Sequence, residues 1–125
     1  MIEADDEAGL KLALTRDPKL ISAKSILGDT LLHEACREKK LWAVTLLLEH
    51  GAAPNAPGDL GFTPLHCAVR DCPVARAEPV VARLMKHHAD PSLRDASGAD
   101  VFQHVVDRHE IWDDPSRIVA LLRGH

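Results

Sequence analysis

The chain has 125 residues, of which 46% are hydrophobic and only 3% aromatic, with a formal charge of −4. That length predicts one domain, and a core of Leu, Val, Ile and Ala suits closely packed helices better than a β-sandwich. The mild acidity offers no basic patch for a nucleic acid, and no apolar run approaches the roughly 18 residues of a membrane span. The acidic start, with Glu3, Asp5, Asp6 and Glu7, is unlike a secretory or transit leader. Cys36, Cys67 and Cys72 have neither metal nor disulfide spacing, so the cytoplasm is the expected location.

In chain order, the first predicted element is an amphipathic helix over Glu7 to Thr15, with Leu10, Leu12, Ala13 and Leu14, ended by Asp17-Pro18. Thr30 is placed to cap a second helix whose Leu31, Leu32 and Ala35 share a face. Lys39-Lys40 links it to a third, Leu41 to His50, striped by Val44, Leu47 and Leu48. Gly51 suits a left-handed cap, and an extended excursion with a turn near Pro57-Gly58 follows. Thr63-Pro64 starts the next helix, with Pro64 at a position where a missing N–H costs little. Its partner is predicted over Val80 to His87. Pro73 and Pro79 mark 71–79 as an enlarged loop, in which residues 72–78 are expected to tolerate shortening by four. Asp100 caps a further helix, and a second enlarged loop is expected over 109–115.

Two segments repeat. Gly28-Asp29-Thr30-Leu31-Leu32-His33-Glu34-Ala35 aligns with Gly61-Phe62-Thr63-Pro64-Leu65-His66-Cys67-Ala68 at a spacing of 33 residues. His87-His88-Ala89-Asp90-Pro91 follows His50-Gly51-Ala52-Ala53-Pro54 at 37 residues, as Gly98 follows Gly61. Four residues are therefore inserted between the helices of the later units. The shared Gly-x-Thr-x-Leu-His-x-Ala pattern resembles the ankyrin repeat. The resemblance implies an all-α solenoid of helix-turn-helix repeats with short hairpin-like fingers, as one domain over 1–125. Its parts are an N-terminal capping half repeat over 1–24, a repeat over 25–57, a repeat with an enlarged inter-helix loop over 58–94, and a degenerate C-terminal capping repeat over 95–125.

The same resemblance implies a non-catalytic module that binds a partner protein through its concave surface of finger tips and inner-helix ends. Carried over residue by residue, that surface takes Ile26, Leu27, Asp29, Arg37 and Glu38 in the first full unit. It takes Asp59, Leu60, Phe62, Arg70 and Asp71 in the second, and Arg94, Ala96, Ser97, Ala99, Asp107 and Arg108 in the third. Phe62 and Arg70 are expected outside the core. Signs alternate along Arg37-Glu38, Arg70-Asp71 and Asp107-Arg108, which suits a protein partner better than a polyanion. Trp112, in the last enlarged loop, is a further candidate contact, whereas Trp42 reads as packing.

Thr30, His33, Thr63, Pro64 and His66 are expected to be structural, each His one turn after its capping Thr. The eight histidines raise the question of a metal, but their spacing is poor. Asp100 and His104 stand four apart without further ligands, so neither a metal nor a cofactor is expected. No phosphate loop, nucleophile elbow or carboxylate pair appears, so no catalytic residue or small-molecule substrate is expected. Two other classes remain open: a dedicated cytosolic inhibitor of one enzyme, and a His-rich metal protein or enzyme.

Overall fold

The computed structural model describes residues 7–70, 74–107 and 116–123. Its α-helices are α1 (Glu7–Arg16), α2 (Leu31–Glu38), α3 (Leu41–Glu49), α4 (Pro64–Ala68), α5 (Val74–Lys86), α6 (Val101–Asp107) and α7 (Ser116–Leu122). Short 3-10 turns lie at Pro18–Ser22 and Asp59–Gly61, and there is no strand among the described residues. Helices α2, α4 and α6 form an inner row, and α1, α3, α5 and α7 an outer row, each packed on its neighbours. The pairs α2–α3, α4–α5 and α6–α7 join the rows. This is the ankyrin solenoid expected from the repeat.

The inner helices begin where local chemistry tells them to. The Thr30 hydroxyl accepts from the His33 N–H at 3.5 Å, and His33 Nδ1 accepts from the Thr30 N–H at 3.1 Å. Thr63 and His66 repeat this reciprocal cap at 3.4 and 3.2 Å. Both exchanges satisfy backbone donors that a helix start leaves without partners. In the third unit Asp100 takes over the cap, accepting from the Gln103 N–H at 2.9 Å.

The core is aliphatic, as the composition requires. Leu10, Leu32, Leu47, Leu65, Leu84, Ile118 and Leu122 are buried, one or two from each helical layer. Each contributes about 1.5–3 kcal/mol on leaving water. Leu12, included in the predicted stripe of α1, instead points outward and is half exposed. Trp42 packs against the core, and Cys36 and Cys67 are buried free thiols.

One prediction fails at α5. Residues 74–79 are helical, and Pro79 lies inside a helix of 13 residues rather than in a loop. The missing N–H costs about one intrahelical bond. Packing offsets that cost: Ala77, Val80, Val81 and Leu84 all bury against the stack. The four inserted residues thus lengthen a helix that the core holds. The loop expected over 109–115 lies outside the described residues.

Candidate protein-binding face

Three equivalent turns form the fingers. The N–H groups of Ser25, Gly58 and Asp95 donate to the carbonyls of Asp29, Phe62 and Ala99 at 2.8, 2.8 and 2.9 Å. Gly58 is demanded by a close approach: a Cβ there would lie 2.8 Å from His33 Nε2. Gly61 combines a φ of 73° with a backbone neighbour, since its Cβ would meet the Ala96 nitrogen at 2.7 Å. Beside it Leu60 is also left-handed, with φ 59°. That conformation costs a branched residue about 1 kcal/mol. In it the Leu60 carbonyl accepts from the Ala96 N–H at 2.9 Å, joining the second finger to the third.

The motif histidines tie each inner helix to the finger that follows. An N–H is always a donor, so Thr30 and Thr63 fix Nδ1 of His33 and His66 as acceptors. Each ring then carries its proton on Nε2. His33 donates from there to the carbonyls of Ala56 at 2.8 Å and Phe62 at 2.9 Å. His66 donates to Ala99 at 3.1 Å. Burial pushes both pKa values below the ordinary 6.5, so both rings stay neutral.

Lys39, read in the sequence only as part of a link, is a second tie. Left-handed at φ 59°, it ends α2, and its Nζ donates to the carbonyls of Arg37, Cys67 and Arg70 at 3.1, 3.0 and 3.1 Å. It thus serves the ends of two inner helices at once. Asp29 is a third. It accepts from the Asp59 N–H at 2.8 Å and pairs with Arg37 at 2.7 Å. Burial alone would raise the Asp29 pKa, but these two donors outweigh it and hold the carboxyl below its ordinary value.

The expected contact residues fall into distinct groups. Ile26, Leu27 and Leu60 stand at finger tips with 104, 66 and 62% of their surface exposed. Arg37, Glu38, Arg94, Ala96 and Ser97 are also exposed, and Asp59 is half-buried. Arg94 donates to the Gly98 carbonyl at 3.0 Å, and the half-buried Ala99 gives its carbonyl to His66. Phe62 departs from the expectation, because it packs against the core. Its ring stacks on His66 at 5.6 Å, meets His104 edge-on at 5.6 Å, and lies 4.6 Å beneath the Arg70 guanidinium. Asp71, Arg108 and Trp112 lie outside the described residues, and Asp107 closes α6.

Between the second and third fingers lies a cleft of about 360 Å³, lined by Leu60, Phe62, Asp95, Ala96, Ser97 and His104. Sequence reasoning left Asp95 and His104 without a role. Asp95 Oδ1 accepts from the Ser97 hydroxyl at 2.6 Å and from the Ser97 and Ala99 N–H groups at 2.8 and 3.1 Å. Oδ2 meets His104 Nε2 at 2.8 Å. Burial would raise the Asp95 pKa, but these donors drive it well below the carboxylate range. The offsets could have flagged Asp95, which falls 37 residues after Gly58 at the opening of a finger.

His66, Asp95 and His104 bring three ligand-type atoms within 4.8 Å of one another. The capping tautomer argues against ligation. His66 Nε2 bears a proton given to Ala99, so a metal would have to break that bond and also displace the Thr63 N–H from Nδ1. Asp100, the other metal candidate, caps α6 instead of pairing with His104. Asp95 and His104 of this cluster line the cleft, and His66 stacks on Phe62.

A family model described as ankyrin repeats (3 copies) matches residues 2–95. A Fowlpox virus (strain NVSL) ankyrin repeat protein, FPV031, is 34% identical over 84 residues, covering 66% of this chain and 24% of its own. Mouse ankyrin repeat and SOCS box protein 16 is 38% identical over 78 residues, covering 60% of this chain and 17% of its own. Rat palmitoyltransferase ZDHHC17 is 40% identical over 70 residues, 11% of its length, and matches only through its ankyrin repeats. Among solved structures, the ankyrin repeat domain of Bcl-3 superposes with a TM-score of 0.79 at 27% identity, over 98% of this chain and 49% of that one. An ankyrin repeat domain from Acinetobacter baumannii AYE gives 0.70 at 26% identity, over 82% and 50%. The chain spans a quarter or less of these sequence relatives and about half of the solved domains. With three capped inner helices, histidine ties and fingers in register, this chain belongs to the ankyrin-repeat family.

Proposed function

We propose that this chain is a non-catalytic module that binds a partner protein through its fingers and inner-helix ends. Ankyrin repeat domains generally mediate protein–protein interaction, and the fold is a non-enzymatic scaffold. The observation that carries the reading is the row of apolar finger tips, Ile26, Leu27 and Leu60, held out in water by turns that the stack keeps rigid. Apolar groups displayed on a fixed frame mark a docking surface, because binding then orders little that was not already ordered. The outer row exposes large apolar groups less, with Leu12 at 51% and Leu41 at 37%.

The same proposal puts the protein in the cytoplasm. The free buried thiols of Cys36 and Cys67 suit a reducing compartment, and no described helix is long and apolar enough to cross a membrane. The test is an affinity capture with mass spectrometry, run in parallel on the wild type and on Leu27→Asp/Leu60→Asp. The proposal expects proteins that the wild type retains and the double variant loses. Identical captures by both would contradict it.

A further inference from the structure

The first two repeats treat one arginine differently. In the first, Arg37 is paired with the finger residue Asp29 at 2.7 Å. Both positions recur 33 residues later, as Arg70 and Phe62. The carboxylate has become an aromatic ring, and the Arg70 guanidinium lies 4.6 Å over it. Among the described residues no ion pair reaches Arg70, and its buried Nε has no hydrogen-bond partner. A ring orients the cation through one face but does not neutralise it. A carboxylate binds along the edge of a guanidinium, which stacking leaves geometrically open.

Phe62 also lines the cleft between the second and third fingers. Leu60, Phe62 and Ala96 give that cleft apolar walls, and the Asp95 carboxylate on its floor is already saturated by Ser97, Ala99 and His104. An incoming acid is repelled from the Asp95 side and drawn to the Arg70 side. An apolar side chain fits the space between the fingers.

We propose that the partner protein presents a carboxylate to Arg70 and sets a neighbouring apolar side chain into the cleft between the second and third fingers. The inference rests on the concave-face reading above and names the chemistry of its partner. A polyanion is disfavoured by the formal charge of −4, whereas a single acid beside a Leu-like residue meets both features.

The probe is a phage-displayed library of random short peptides, selected on the immobilised wild-type chain. The best binder is then synthesised and titrated calorimetrically. Selected sequences should carry Asp or Glu within two residues of Leu, Ile, Met or Phe. Arg70→Gln should weaken the best binder about tenfold or more, while Lys86→Glu on α5 leaves it unchanged. A melting curve checks that Arg70→Gln is folded. A rise in salt to roughly 0.5 M reads the same charge on the unmutated protein and should also weaken binding.

Peptides without acids, failure to enrich any peptide, or equal affinity for Arg70→Gln and wild type would overturn the inference. If such acid-free peptides still lose affinity on Leu60→Asp, the concave face stands and only the carboxylate anchor fails. If they respond to Lys86→Glu alone, both readings fail.

Discussion

Replacing His66 by alanine removes three hydrogen bonds from a fully buried ring. Nδ1 accepts from the Thr63 N–H at 3.2 Å and meets the Thr63 hydroxyl at 2.8 Å, while Nε2 donates to Ala99 at 3.1 Å. Thr63 is 3% exposed, so water cannot easily replace the lost acceptor, and an unsatisfied buried donor costs about 1–3 kcal/mol. Ala99 is only half-buried, so the loss of the bond to its carbonyl should cost less. The ring also supports Phe62 by stacking at 5.6 Å, and its removal leaves a cavity. Together these give a loss of about 2–4 kcal/mol, or about 8–15 °C in midpoint for a domain of this size. His66→Gln keeps an acceptor for the Thr63 N–H and should recover part of this. His50→Ala is the control, an exposed position whose Nδ1 meets only the Leu46 carbonyl, and should cost about 1 kcal/mol or less. Thermal melts of the three variants decide the matter. A His66→Ala midpoint no lower than that of His50→Ala would refute the structural assignment of the motif histidine.

Other perturbations test neighbouring parts of the account. Deleting residues 75–78, as a loop reading of this stretch would permit, should destabilise the protein by about 2 kcal/mol or more in a urea titration, because it removes a helical turn and the buried Ala77. Lys39→Ala should cost about 1–3 kcal/mol in the same assay, since Nζ serves three carbonyls from two inner helices. The pH dependence follows from His33 and His66, both below the ordinary 6.5 when folded. As pH falls through about 6.5 the unfolded chain takes up protons that the folded rings refuse, so stability is full above that pH and declines below it. The lowered Asp29 and Asp95 values act only on further acidification, below the ordinary 3.8. The melting midpoint should therefore drop between about pH 7.5 and pH 5.5, and His66→Gln should flatten the drop.

The inner helices were legible because their signals are local. A Thr and a His three residues apart cap one helix start, and the pattern recurs at a spacing of 33 residues. The start of α5 was hidden because Pro73 and Pro79 are breakers by propensity, while the packing of Ala77, Val80 and Val81 that overrides them is tertiary. The half-buried state of Phe62 has the same origin: its neighbours His66 and His104 come from two different repeats. Lys39 reads as a linker residue until its reach across α2 and α4 is seen. The left-handed turn at Leu60 answers the Ala96 N–H of the next finger, a contact no single-repeat pattern contains.

The claim that the fingers and inner-helix ends form the binding face is tested most directly by titrating a captured partner against Arg70→Glu, Leu60→Asp and Lys86→Glu. Leu60 and Lys86 are exposed, so their variants should melt close to the wild type, and a melting curve on Arg70→Glu, whose side chain is half-buried against Phe62, checks that it is folded. Loss of a central interface group typically costs about 2 kcal/mol, or roughly thirtyfold in affinity. The account predicts a loss of that size for Arg70→Glu and Leu60→Asp and wild-type affinity for Lys86→Glu. A partner that binds both finger-side variants normally and loses its affinity on Lys86→Glu would show that the outer helices carry the interface instead.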